Sequence, residues 1–319
     1  MIPLSVARVD LRTLSLHDRI AAADHAAAAA EALAGAPAIV LHTCERFEVY
    51  TSTAGGVDAT LVACGFDCVE RATGTEAFRH LLRVASGVAS RIPGEPHVLG
   101  QVRAALGSAL AAGVATPELA HSFTAAIRGA RLVRERSAIG AGEGGYAARA
   151  VATVATTFEN TPDAHIVVVG SGAMAREVAH GLARAGLTRI TIAGRHLPSV
   201  QNIAAPIDAA SVELAVFAEG RIESDAVVAA VSSRRPILTA AGLRASGARL
   251  VVDLGAVPGI GPVDAALGPT IVRLEDLAGD VRGRVLEDAE RLVEQEVARH
   301  AARALARRQP RDLSERRAS

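Results

Sequence analysis

The sequence predicts an α/β protein: an N-terminal α+β region, a doubly wound parallel sheet, and one long C-terminal helix. Three observations predict it. Apolar, strand-like runs alternate with helical patterns from residue 164 onward, the rhythm of βαβ units. A glycine turn opens the first of those units, and residues 281–309 carry one uninterrupted helical pattern ahead of Pro310.

In the first half, "IPLSVARVDL" alternates like a strand, and "SLHDRIAAADHAAAAAEALAGAP" reads as an Ala-rich helix stopped by Gly35 and Pro37. "AIVLHTC" is a strand leading into "LHTCERFEVY", and residues 76–136 are helical with breaks at "PGEP" and "GVATPE". In the second half, "AHIVVVG", "TRITIAG", "SDAVVAAV", "ARLVVDLG" and "TIVRLEDL" read as strands, and "AMAREVAHGLARAG" as a helix. The expected regions are 1–145, 146–280 and 281–319. On the last, Leu286, Val293, Val297, Ala301 and Leu305 form an apolar stripe that needs a partner surface, in cis or in trans, and Glu287 stands four residues before Arg291.

Composition narrows the chemistry. A length of 319 residues suits about two domains. Half the residues are apolar and the net charge is zero, an ordinary soluble composition that argues against wholesale nucleic-acid binding. All 34 basic residues are arginine. Lysine Schiff bases, pyridoxal attachment and a P-loop lysine are therefore excluded. Three cysteines make no disulfide framework at this size and suit a reducing cytoplasm. The start has no basic stretch followed by an apolar one, and no uncharged apolar run reaches the ~18–20 residues of a membrane helix.

"VVVGSGAMAREVAHGL" places Gly170, Gly172 and Ala175 in a GxGxxA pattern between strand and helix, with Ser171, Ala173 and Met174 completing the loop. Gly170 permits the tight turn, Gly172 lets the backbone approach a pyrophosphate, and Ala175 lets helix and strand pack closely. A Rossmann-type dinucleotide site follows, the alternative being a plain tight turn. Where an NAD site offers an acidic residue after the second strand, Arg195 stands here; that favours the 2′-phosphate of NADP over NAD, against the reading of an ordinary surface arginine.

Cys44 has three readings: packing residue, metal ligand or nucleophile. Cys64 and Cys68, with His80 and His97 downstream, lack the paired spacing of a zinc site and read as packing residues, so no metal is expected. Arg46 lies near Cys44 in sequence, and nearby positive charge favours a thiolate. The residues alone leave packing and reactivity both open.

Here the sequence becomes specific. "LHTCERFEVY" resembles the "TCNR" signature region of glutamyl-tRNA reductases, and "FRHLLRVASGVASRIPGEPHVLGQVRAAL" resembles that family's second signature. "GARLVRERSAIG", the glycine loop, and "LVVDLGAVPGIGP" with "VRLEDL" follow in the family's order, so the resemblance spans roughly residues 1–305. It implies NADPH-dependent reduction of glutamyl-tRNA(Glu) to glutamate-1-semialdehyde, the first step of tetrapyrrole synthesis by the five-carbon route. It implies Cys44 as the nucleophile that forms a thioester, and His80 as the histidine needed for activity. Substrate contacts fall on Thr43, Glu45, Arg46, Ser90, Glu95, Pro96, His97 and Gln101. A homodimer and a partner, glutamate-1-semialdehyde aminomutase, are implied too.

The chemistry is consistent: a thioester accepts hydride better than an ester, so a covalent cysteine splits one hard step into two. Each residue keeps its plainer reading. His80 also suits a half-buried helix position, and Ser90, Glu95 and Gln101 suit capping and turn formation. Arg128, Arg131 and Arg134, three apart on a helix, suit either tRNA phosphates or a solvated face.

The match departs from the family in places. Glu45 stands for an amide, a carboxylate expected to raise the Cys44 pKa unless Arg46 compensates. His97 stands for glutamine, "GEGGYAAR" replaces a Ser-rich start, and Pro258-Gly259 replaces "PR". The usual C-terminal helical dimerisation domain is cut short. These departures motivate two rivals: a diverged paralogue reducing another activated acyl donor, and a non-catalytic tRNA- or regulator-binding homologue.

Overall fold

The computed structural model describes residues 2–53, 57–67, 69–140, 145–161, 163–231, 233, 236–255, 259–261, 268–277 and 283–306. The contacts divide the chain into two compact units. One comprises Met1–Thr13, His25–Ala141 and Val281–Ser319; the other comprises Leu14–Asp24 and Gly142–Asp280.

The first unit contains β1 (Ser5–Asp10), the second half of α1 (Leu16–Ala32), β2 (Ala38–His42), β3 (Arg46–Thr51), α2 (Val57–Ala63) and β4 (Glu70–Thr73). Then come α3 (Gly74–Ser86), α4 (His97–Ala111) and α5 (Pro117–Ser137). Its strands form an antiparallel sheet in the order β2-β3-β1-β4. Val6, Ile39, Leu41 and Tyr50 pack from the sheet onto Phe78, Leu81 and Leu82 of α3 and Phe123 of α5. Local signals set the helix ends. Thr116 caps α5 by accepting from the Leu119 amide at 3.3 Å, with Pro117 at the first helical position. Gly87 ends α3 in the left-handed region at φ 80°.

The second unit contains α6 (Tyr146–Thr157), β5 (Ile166–Val169), α7 (Ala173–Arg184), β6 (Ile190–Gly194), α8 (Leu197–Ala204) and β7 (Ala210–Glu213). After these come α9 (Leu214–Ala218), β8 (Ala226–Ala229), α10 (Ala240–Ser246), β9 (Leu250–Asp253) and β10 (Thr270–Arg273). The six strands run parallel in the order β10-β9-β8-β5-β6-β7. The chain reverses its direction of travel across the sheet between β5 and β8, which opens a crevice at the carboxyl ends of those strands. β7 was not anticipated; "ASVE" carries no apolar run because it is a partly exposed edge strand.

The last helix, α11 (Arg284–Ala306), belongs to the first unit. Ala289, Leu292, Val293 and Val297 are buried in that unit's core, whereas Leu305 is 62% exposed. The stripe thus finds its partner surface in cis, on α3 and α5. Two ion pairs fasten it: Arg79 grips Glu294 with two bonds of 2.8 and 3.0 Å, and Arg83 meets Glu290 at 2.7 Å. Arg291 pairs with Asp288 at 3.0 Å, not with the anticipated Glu287, since a residue three positions back is an equally near neighbour on a helix. The predicted helix ends 281–282 and 307–309, Pro310 and the tail after it, Pro258 and Cys68 lie outside the described residues. Among the described residues, no helix is long and apolar enough to cross a membrane.

Candidate active site

The stretch around Cys44 forms a hairpin turn and not the end of a continuing strand. The last cross-strand pair is His42 with Phe47, and the Thr43 amide donates to the Arg46 carbonyl at 2.9 Å. The Thr43 hydroxyl accepts from the Glu45 amide at 3.2 Å, so Thr43 shapes the turn on which Cys44 stands half-buried.

Glu45 and Arg46 are buried, at 5% exposure each. Both oxygens of the Glu45 carboxylate accept from the Arg91 amide at 3.1 Å, and Arg46 reaches Glu45 at 3.1 Å and the Ala89 carbonyl at 2.7 Å. Glu45, expected among the substrate contacts, also has a place in the scaffold. Its carboxylate brackets the hairpin to the loop after α3 and is occupied by protein donors. Burial, with the charges of Glu45 and Glu95, pushes the Cys44 thiol up to about 12, and Arg46 only partly offsets them. At neutral pH Cys44 is therefore a thiol.

A cavity of about 350 Å³ adjoins the turn within the same unit. The guanidinium groups of Arg8, Arg12, Arg46 and Arg83 face the carboxylates of Asp10, Glu48 and Glu70 in its wall. His80 and Ser90 line it as well; Cys44 is not among the described lining residues. His80 Nε2 lies 2.7 Å from Glu48 Oε1, its Nδ1 takes a short contact from Arg8, and the Tyr50 hydroxyl donates to Glu48 at 2.6 Å. Burial opposes the charge of Glu48, but His80, Arg46 and Tyr50 outweigh it and hold the carboxyl below its ordinary value.

The remaining site residues sit on the loop and on α4. Glu95 is buried and accepts from the His97 amide at 3.1 Å. Pro96 is exposed, His97 starts α4, and half-buried Gln101 follows one turn later. Arg134 donates to the carbonyls of Ser86, Gly94 and Glu95 at 3.1, 2.9 and 3.2 Å. Where Arg128 and Arg131 are exposed, Arg134 is half-buried and clasps the loop that carries Ser90 and Glu95. Arg8, Asp10, Glu48, Glu70 and Arg91 escaped sequence reasoning. The available signal was "RFEVY", a strand whose alternate positions are charged while all of it is buried.

In the second unit, Gly170 has φ +141°, and a Cβ there would lie 2.3 Å from the Ala230 carbonyl oxygen and 3.2 Å from the Ala175 Cβ. Gly172 precedes α7, and a Cβ on it would meet nothing within 4 Å. The loop backbone thus faces open space at a helix N-terminus, with Ser171 and Ala173 exposed, Met174 half-buried and Ala175 buried beneath. Arg195 is exposed immediately after β6, with no partner among the described residues. These residues fit a dinucleotide phosphate cradle.

Relatives bear on both units. Residues 8–137 match the family described as glutamyl-tRNA(Glu) reductase, N-terminal domain, and residues 152–278 match shikimate/quinate 5-dehydrogenase. Glutamyl-tRNA reductase of Halobacterium salinarum is 32% identical across 95% of this chain and 76% of its own length. The chain belongs to the glutamyl-tRNA reductase family. The relative from Stutzerimonas stutzeri is 33% identical over 63% of the chain and 50% of its own length; that from Hyperthermus butylicus is 32% identical over 82% and 66%. The chain thus spans half to two thirds of those two reductases. The solved glutamyl-tRNA reductase of Methanopyrus kandleri shares the fold, with a TM-score of 0.50 at 23% identity over 95% of this chain and 81% of that one. Within the family's N-terminal domain lie the Cys44 turn and the cavity; within the dehydrogenase-type match lies the glycine loop.

Proposed function

We propose that the chain reduces glutamyl-tRNA(Glu) to glutamate-1-semialdehyde, using NADPH and a thioester on Cys44. The observation that carries this reading is the Thr43–Arg46 turn, which holds one half-buried thiol beside a guanidinium at the edge of an arginine- and histidine-lined cavity. Residues 1–145 would receive the substrate, and residues 146–280 would hold the nucleotide.

The Cys44 sulfur forms a bond to the aminoacyl carbonyl carbon as the ester bond to the tRNA ribose breaks. The thiol proton ends on the released ribose hydroxyl, so this step is proton-neutral overall. With the thiol near 12, its proton has to leave as the bond forms and not beforehand. Arg46 balances charge at the turn, Ser90 and His80 supply polar groups to the cavity, and Glu95, Pro96, His97 and Gln101 frame the approach from α4. Gly170, Ser171, Gly172, Ala173, Met174 and Ala175 would hold the pyrophosphate, and Arg195 a 2′-phosphate. When bound, NADPH would supply the hydride; with one proton from solvent, the thioester becomes aldehyde and free thiol. The same reading makes the protein a cytoplasmic homodimer with glutamate-1-semialdehyde aminomutase as a partner.

The test is incubation with glutamyl-tRNA(Glu) and NADPH, scored for semialdehyde. Cys44→Ser should abolish product while leaving tRNA binding intact. A second reading, reduction of another activated acyl donor, is favoured by the Glu45 carboxylate beside the nucleophile. Turnover with such donors alone would select it, and tight tRNA binding without turnover would select a binding protein.

A further inference from the structure

We infer that Arg8 is a positioning residue that masks the basic lone pair of His80 until a carboxylate enters the cavity and draws the guanidinium away. This rests on the reading that the cavity receives a substrate carboxylate.

Sheet register brings the parts together. On the central strand β1, Arg8 lies directly across from Glu48 of β3 on one side and Glu70 of β4 on the other. Its Nε and Nη2 donate to Glu70 at 3.1 and 2.5 Å, and its Nη1 contacts His80 Nδ1. A guanidinium only donates, so Nδ1 must be the accepting nitrogen. Glu48 accepts at 2.7 Å on the other side, so Nε2 carries a ring hydrogen. Both ring nitrogens of His80 are thereby occupied, Nδ1 by the Arg8 guanidinium and Nε2 by Glu48.

The other charged groups around the ring are already committed. Arg12 of the turn after β1 holds Asp10 at 2.6 Å, Arg46 of β3 holds Glu45, and Arg83 of α3 holds Glu290. Arg8 is the movable member. Its anchor Glu70 has a side chain 63% exposed, and an exposed pair of this kind is weak. An entering carboxylate offers Arg8 a bidentate partner. Once the guanidinium turns to it, Nδ1 becomes a bare base, still aimed by the Nε2–Glu48 bond. A proton taken there during acyl transfer returns to the leaving oxygen.

Diethyl pyrocarbonate tests this on the full chain, because it acylates only an imidazole nitrogen with a free lone pair; mass spectrometry reads the His80 peptide. His80 should react at least about tenfold faster in Arg8→Met than in the unmutated protein, the factor expected of one charge-assisted hydrogen bond. Glu70→Gln, a change on the exposed side, should also accelerate it. Glutarate, a plain dicarboxylate, should speed the reaction in the unmutated protein and not in Arg8→Met. Equal rates across the unmutated protein and both variants, or glutarate that leaves or slows the unmutated rate, overturns the inference. The readout needs neither tRNA nor turnover. A masked His80 in a protein that makes no semialdehyde would sink the proposed activity alone, and an open His80 in an active enzyme would sink the mask alone.

Discussion

Both carboxylate oxygens of Glu45 lie 3.1 Å from the backbone nitrogen of Arg91, so the residue after the candidate nucleophile is built into the scaffold. Its charge is still felt by the sulfur. Glu45→Gln keeps one acceptor for the Arg91 amide and removes the second-largest influence raising the Cys44 thiol from its ordinary 9.0 to about 12. Stability should fall by about 3 kcal/mol, because buried Arg46 loses the charge of its partner. The midpoint of Cys44 alkylation by iodoacetamide should move to lower pH, since removing a neighbouring anion favours thiolate. An unmoved midpoint would mean that burial alone sets the thiol.

Arg134 offers a clean separation between scaffold and tRNA contact. Arg134→Met forfeits three carbonyl contacts from a half-buried group, and urea unfolding should register a loss of about 2–3 kcal/mol. Arg128→Ala and Arg131→Ala are exposed changes. They should leave the midpoint alone while each lowering the salt slope of tRNA binding by about 1. If Arg134→Met lowers the salt slope and leaves stability alone, the assignment is reversed.

The parallel sheet was legible because strands covered on both faces must be apolar throughout, as "IVVV", "AVVA" and "LVVD" are. The same rule hid β7, an edge strand with half-exposed residues. In the first unit the Cys44 turn looked like a strand end because Thr43, Cys44 and Glu45 include none of the glycine, proline or asparagine that usually mark a hairpin. Individual residues such as Cys44, Arg46 and His80 came from local motifs. Arg8, Glu48 and Glu70 did not, because what unites them is the pairing of three strands, and neither that register nor the partner of the α11 stripe is written in any local run.

Two glycines in one loop should fail differently. At Gly170 an alanine Cβ would press on the Ala230 carbonyl at 2.3 Å from a backbone at φ +141°. Gly170→Ala should therefore cost at least about 2 kcal/mol and lower the thermal midpoint. Gly172 has φ −88° and open space around its Cβ position. Gly172→Ala should fold normally yet lose NADPH, seen by fluorescence titration, because the methyl occupies the room left for the pyrophosphate. Normal NADPH affinity in Gly172→Ala would move the nucleotide elsewhere.

Acid should unfasten the His80 pocket through Glu48. Its folded carboxyl titrates below the ordinary 4.5, so the stability it contributes is complete above 4.5 and is lost as pH falls through the lower folded value. Glu48→Gln removes that dependence. At neutral pH the variant should be weaker by about 3 kcal/mol, because a buried partner of His80, Arg46 and Tyr50 has lost its charge. On acidification the gap must narrow, since protonation converts the unmutated residue into a neutral acid much like the amide. Urea midpoints compared at neutral pH and stepwise through the acid range below 4.5 follow the gap as it closes. A gap that stays constant would mean that Glu48 is already protonated in the folded protein, and the tautomer assigned to His80 would then lose its basis.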